Sequence, residues 1–184
     1  MDVVIALHVS AALLLVLAGV AKMFRPVPTT DLLASFGLPK VTALVVAIGA
    51  AESSVGIAAL VVGGPILAAV TGALYLGFLA VVWRALAVGA TTCGCFGRVD
   101  SPPSWLHVVG NAGFAVVSFV AVAGDTPMQV MGDQPASGIG FVLGAGVIAG
   151  LALVAFTAVP EAFAARAAPP SSASFRVDSR PPNR

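Results

Sequence analysis

Residues 41–88 read VTALVVAIGAAESSVGIAALVVGGPILAAVTGALYLGFLAVVWRALAV. Two apolar runs, about 41–62 and 65–88, meet at Gly63-Gly64-Pro65. Each is close to the ~20 residues that an α-helix needs to cross ~30 Å of hydrocarbon. Backbone N–H and C=O groups find no water inside lipid, so runs of this kind must be helices. The Gly-Gly-Pro break leaves space only for a tight turn, which makes the pair an antiparallel hairpin.

The same pattern extends to both sides. Apolar runs at about 3–22, 105–123 and 138–160 bring the number of spans to five. The expected fold is all-α: an integral membrane helical bundle of about five transmembrane helices, with a four-helix core plus a C-terminal helix. Composition agrees. Hydrophobic residues make up 59% of the 184 and charged residues 9%, with a mean hydropathy of +1.03, whereas a soluble domain carries about 25% charge. The partner this implies is the lipid bilayer. A formal net charge of +1 gives no reason to expect nucleic acid or an acidic partner. Residues 1–160 form the expected bundle. The segment 161–184 is Pro-, Ser- and Arg-rich, has little to bury, and reads as a disordered tail.

The first run is not a cleaved signal peptide by charge. Such peptides carry positive charge before the apolar stretch, whereas here Asp2 precedes it and Lys22 and Arg25 follow. Small residues four apart, Gly140/Gly144 and Gly146/Gly150 in the last run and Ala50/Ser54/Ala58 in the second, are expected at close helix contacts. With five crossings, all nine Lys and Arg residues fall on one face of the membrane. The positive-inside rule places that face in the cytoplasm and the N-terminus outside. On that face Lys22 and Arg84 are expected to snorkel to lipid phosphates. Trp83 and Trp105 are expected at the same level, as an aromatic belt.

Between the third and fourth runs lies TTCGCFGRVD, residues 91–100, which holds both cysteines of the chain, Cys93 and Cys95. Gly94 and Gly97 permit backbone angles that let the two sulfurs face each other. A disulfide across one intervening residue closes a small ring, and strain makes such a bond labile and exchange-competent. Arg98 favours the thiolate, the form that attacks disulfides or binds metal. Dithiol redox is the preferred reading, either as a thiol–disulfide oxidoreductase or as an accessory to one. Two alternatives use the same loop differently: a metal-binding or transport protein whose thiolates ligate monovalent copper, with His107 as a third ligand, or a scaffold in which the thiols are idle.

Other polar residues fall inside the spans. Glu52 lies about 15 Å from either surface at 1.5 Å per residue, where an ionisable group marks a functional hypothesis by default. Proton handling, or contact with a polar ligand such as a quinone, is one reading; an interhelical hydrogen bond is the other. His8 is its candidate partner. His107, Asn111 and Ser118 share one face of the fourth spanning helix. His107 is either interfacial or positioned to help deprotonate a thiol, and Asn111 is expected to bond a backbone carbonyl across helices. Ser101-Pro102 reads as the cap and first turn of that helix.

CGCFG at 93–97 between two spanning helices, followed by Trp105 and Asn111, resembles the methylamine utilisation protein MauE family, which is related to the DoxX-like small membrane proteins. The resemblance includes AGVAKMFRP at 18–26, with Gly19 and Lys22, and AAESSVGIAALV at 50–61, with Glu52 and Gly56. It implies a redox-associated membrane protein linked to methylamine metabolism and to maturation of methylamine dehydrogenase, alongside a thioredoxin-like partner. One tension stands. Disulfide formation in exported proteins belongs outside the cytoplasm, while the charges place Cys93 and Cys95 inside, so the direction of electron flow stays open.

Overall fold

The computed structural model describes residues 2–91, 102–124 and 135–167. Six α-helices account for nearly all of them: α1 (Asp2–Phe24), α2 (Val27–Ser35), α3 (Thr42–Val61), α4 (Pro65–Ala87), α5 (Trp105–Val120) and α6 (Pro135–Ala167). A 3-10 turn, Ala121–Ala123, closes α5. Five of these helices are long and apolar enough to cross a membrane, and among the described residues there is no strand. The chain is a multi-pass membrane protein.

Local signals set the helix ends. Between α3 and α4, Gly63 and Gly64 take left-handed φ of 66° and 94°, which other residues resist, and Pro65 opens α4. Gly37 and Gly89 stop α2 and α4 in the same way. In each, the glycine N–H and the next N–H bond back to carbonyls of the last turn, as in Gly89 to Leu86 at 3.2 Å and Ala90 to Ala85 at 2.9 Å. Helix α2 has no counterpart in the apolar runs. It is nine residues long, too short to span, and begins where Pro26 and Pro28 suit a first helical turn. Helix α6 continues beyond residue 160 to Ala167.

Helix α1 is the centre of the bundle, with more of its span buried than any other. It packs most extensively on α3, then on α6 and α5, while α4 pairs chiefly with α5. Because the spans alternate in direction, one end of the bundle gathers the end of α1, the start of α3, the end of α4, the start of α5 and the end of α6.

The close contacts are not where small-residue spacing placed them. Ala50 and Ser54 are exposed; α3 meets α1 instead through Gly49, Ser53 and Gly56. A Cβ on Gly49 would stand 2.6 Å from the Gly19 carbonyl, and one on Gly56 2.8 Å from that of Ala12. The true seam lies one residue away, about 100° round the helix, because the face that packs must also bury Glu52. In α6, a Cβ on Gly140, Gly144, Gly146 or Gly150 would meet no neighbour within 4 Å. Ala145 and Ala149 make the contact instead.

Candidate functional site

Glu52 stands ten residues into α3, about 15 Å from its start, on the seam with α1. Its two-carbon side chain cannot reach water from there. Lys22, in the last turn of α1, has the longer stem and turns inward. Its Nζ donates to Glu52 Oε2 at 2.8 Å, with the two residues only 6% and 2% exposed. The Phe78 ring of α4 covers the ammonium, 5.2 Å from Nζ to centroid. Two expectations are corrected here. Lys22 does not snorkel to phosphates, and the partner of Glu52 is not His8. A carboxylate buried at mid-helix is satisfied only by a charge that can come to it, and removing one member of such a pair costs about 3–5 kcal/mol.

His8 lies elsewhere on α1, where its Nδ1 shares a 3.1 Å hydrogen bond with Ser118 Oγ of α5. Tyr75 of α4 donates from its hydroxyl to the Ala11 carbonyl at 2.7 Å. These bonds, with the Ser10 hydroxyl shared between the Ala6 carbonyl of its own helix at 2.8 Å and the Ala145 carbonyl at 2.9 Å, tie α1 to three neighbours. Each satisfies a polar group that lipid would leave unbonded.

His107 occupies the first turn of α5 and is 2% exposed, so it is a core residue and not an interfacial one. The helix begins at Trp105 with Ser104 before it, three residues later than the Ser101 cap expected from sequence. Ser104 Oγ shares a 2.9 Å hydrogen bond with His107 Nδ1, which fixes the ring. On its other face the imidazole stacks on Phe156 of α6, with centroids 5.3 Å apart and planes 20° from parallel. Gly110 makes this possible, since a Cβ there would collide with the Phe156 ring. Pro160, inside α6, has no N–H to give the carbonyl four residues back. That carbonyl, of Phe156, interacts with the His107 imidazole. Even so, no protein atom among the described residues completes a well-aligned hydrogen bond at Nε2. Asn111 Nδ2 donates to the His107 carbonyl at 2.7 Å, so the carbonyl it bonds belongs to its own helix.

These groups surround a cavity. Lys22, Tyr75, Phe78, His107, Asn111 and Phe156 line it with Leu14, Leu15 and Ala18 of α1, and the centre of a water molecule has about 30 Å³ to move through. On the far side of Phe78 lies a groove between α3 and α4 of about 400 Å³, walled by apolar residues with Glu52 at its floor. Phe78 lines both spaces, and the Lys22–Glu52 pair joins them, with Lys22 on the cavity and Glu52 on the groove. Trp83 and Trp105 pack edge to face at 5.4 Å, both exposed, at the same end of the bundle.

Of the residues singled out in the sequence, His107 lines the cavity, while Glu52 lies at mid-helix on the groove and is linked to the cavity through Lys22. Cys93 and Cys95 lie outside the described residues. Spacing and composition did not point to Lys22, Ser104, Phe78 or Phe156 as site residues. Lys22 carried a usable signal, as the other charge in a spanning run near Glu52 and of opposite sign; the aromatic residues carried none. Among the described residues no cluster of three His, Cys, Asp or Glu side chains could hold a metal ion.

A family model described as methylamine utilisation protein MauE matches residues 2–124. Among curated proteins and among solved structures, none matches the chain.

Proposed function

The chain belongs to the methylamine utilisation protein MauE family, and on that premise we propose that it is a membrane-embedded partner in thiol–disulfide exchange, with Cys93 and Cys95 as the exchanging pair. The observation that carries this reading is the family match itself, which extends across both cysteines. In sequence the pair falls between the end of α4 and the start of α5.

The chemistry balances with a disulfide-bearing protein of thioredoxin type. One thiolate of the pair attacks the partner's disulfide, forming a mixed disulfide and expelling one partner thiolate. The second cysteine then displaces the other partner sulfur. The chain's dithiol ends as a disulfide, the partner's disulfide ends as a dithiol, and two electrons and two protons have passed between them. The reverse reaction uses the same atoms. His107 and Glu52 serve as proton-handling groups for the exchange. A lipid-soluble electron carrier, where one takes part, belongs in the α3–α4 groove, whose size is within the ~300–1,000 Å³ of small-molecule sites, and not in the cavity.

Copper ligation by the same thiols would call on His107 as a third ligand. His107 is turned into the core with Nδ1 engaged by Ser104, which favours the redox reading. Arg25, Lys40, Arg84 and Arg166 lie toward the bundle end where α4 finishes and α5 begins, and by charge bias that end faces the cytoplasm. Maturation of a disulfide-rich enzyme such as methylamine dehydrogenase is the process in which such an exchanger would serve.

The test is alkylation of the thiols in native membranes poised at a series of redox potentials. The expected result is that Cys93 and Cys95 convert together between dithiol and disulfide, and that a single Cys95→Ser variant traps a mixed disulfide. Thiols that stay reduced at every potential, with a C93S/C95S variant fully functional, would overturn the proposal. An impermeant thiol reagent applied from each side tests orientation separately; labelling from outside reverses the topology and leaves the exchange chemistry in place.

A further inference from the structure

We propose that the cavity between α1, α4, α5 and α6 is a built water site, occupied by water that bridges His107 Nε2 to the Lys22 ammonium and so joins the Ser104–His107 pair to the Lys22–Glu52 pair. This stands on the described helices alone and does not depend on the cysteines.

Three features of the cavity point the same way. Its size suits water: about 30 Å³ open to the centre of a water molecule holds about two, at ~10–15 Å³ each. A six-membered ring does not fit. Its lining is mostly apolar, so water held there depends on a few polar partners. Here Lys22 brings three N–H donors, of which one is directed to Glu52 Oε2, and Asn111 lines the same wall. Lastly, His107 Nε2 is buried in it without a completed hydrogen bond. The Phe156 carbonyl beside the ring leaves that bond incomplete, and ordering a water against the nitrogen completes its hydrogen bonding at small cost. Water can serve either tautomer, accepting from Nε2–H when Nδ1 takes the Ser104 proton, or donating to Nε2 when Nδ1 carries the hydrogen.

The consequence concerns connection. The Ser104–His107 pair and the Lys22–Glu52 pair face the same cavity from different helices. A bridging water makes Ser104, His107, Lys22 and Glu52 one hydrogen-bonded chain from the α5 N-terminus to the floor of the α3–α4 groove. A proton can then pass along it with no side chain leaving the core.

Radiolytic hydroxyl footprinting of the full chain in lipid bilayers tests this, since radicals born from a trapped water oxidise the side chains that touch it. After normalisation to the intrinsic reactivity of each residue type, Tyr75, Phe78 and Phe156 are expected to be oxidised several-fold faster than Val82 and Ile5, which are buried among apolar neighbours. An Ala18→Leu substitution, which fills the cavity from α1, is expected to bring those three rates down to the dry-core level. His107→Phe, which removes the polar partner but keeps an aromatic ring, is expected to lower them as well. Normalised oxidation of the three rings no faster than that of Val82 in the unmodified protein would overturn the proposal. So would rates that stay high in a folded Ala18→Leu variant, because the radicals would then come from bulk solvent.

Discussion

Helices α3 and α6 carry the same sequence signal, small residues four apart, yet the bundle treats them oppositely. Helix α3 meets α1 so closely that Gly19, Gly49 and Gly56 leave no space for a Cβ, while the glycines of α6 face outward with nothing against them. Lipid offers no hydrophobic gain when two apolar helices meet, so close packing needs shape and polar bonding together. Helix α3 has both. Glu52 bonds Lys22, and Ser53 Oγ donates to the Val16 carbonyl at 3.3 Å. Helix α6 is held instead on its other faces, by Ala145 and Ala149, by the single bond from Ser10 Oγ to the Ala145 carbonyl and by the Phe156 ring.

The contrast can be broken most severely at the ion pair. Glu52→Ala leaves a buried ammonium unpaired and is expected to destabilise the bundle by about 3–5 kcal/mol. Lys22→Met with Glu52→Leu removes both charges and should restore most of that loss, which denaturant titration in bicelles would measure. If the single and double variants prove equally unstable, the seam depends on shape and not on charge. Next in size is overpacking of the seam itself. Gly19→Val should cost about 1–3 kcal/mol by forcing α1 from α3, whereas Gly144→Val on the outer face of α6 should stay within about 0.5 kcal/mol. Equal effects at the two sites would erase the difference between the helices.

Loosening α6 should cost less than either. Phe156→Ala removes the stack on His107 and the edge contact with Phe114, centroids 6.3 Å apart. With the area term largely absent in lipid, about 1–2 kcal/mol is expected from the two ring contacts. Limited proteolysis and thermal unfolding would show whether α6 detaches before the other helices melt. The smallest change expected is at the far end of α1. Ser118→Ala removes the bond to His8 and should cost about 0.6 kcal/mol, the average for such bonds between membrane helices; a loss several times larger would make His8 part of a strong network.

Much of this architecture is readable in the chain itself. The five spans, the Gly63-Gly64 turn and the shared buried face of His107, Asn111 and Ser118 all follow from lengths and spacing, because lipid forces every backbone bond inside its own helix. Helix α2 is not readable, since nine residues beside two prolines carry no spanning signal. Nor is the Lys22–Glu52 pair. Depth along each helix suggests that a terminal lysine would reach outward to phosphate, whereas the neighbouring carboxylate offers it a stronger partner inward.

What the amino-acid order determined is the number of helices, their limits, the residues that can carry chemistry and the membership of the family, all of which depend on local composition and on the absence of water in the bilayer. Which faces meet was decided only in three dimensions. A rotation of one residue moves a helix stripe by about 100°, and the choice among stripes was made by long-range partners that no stretch of chain holds by itself: a lysine for Glu52, a serine for His8, a phenylalanine ring for His107.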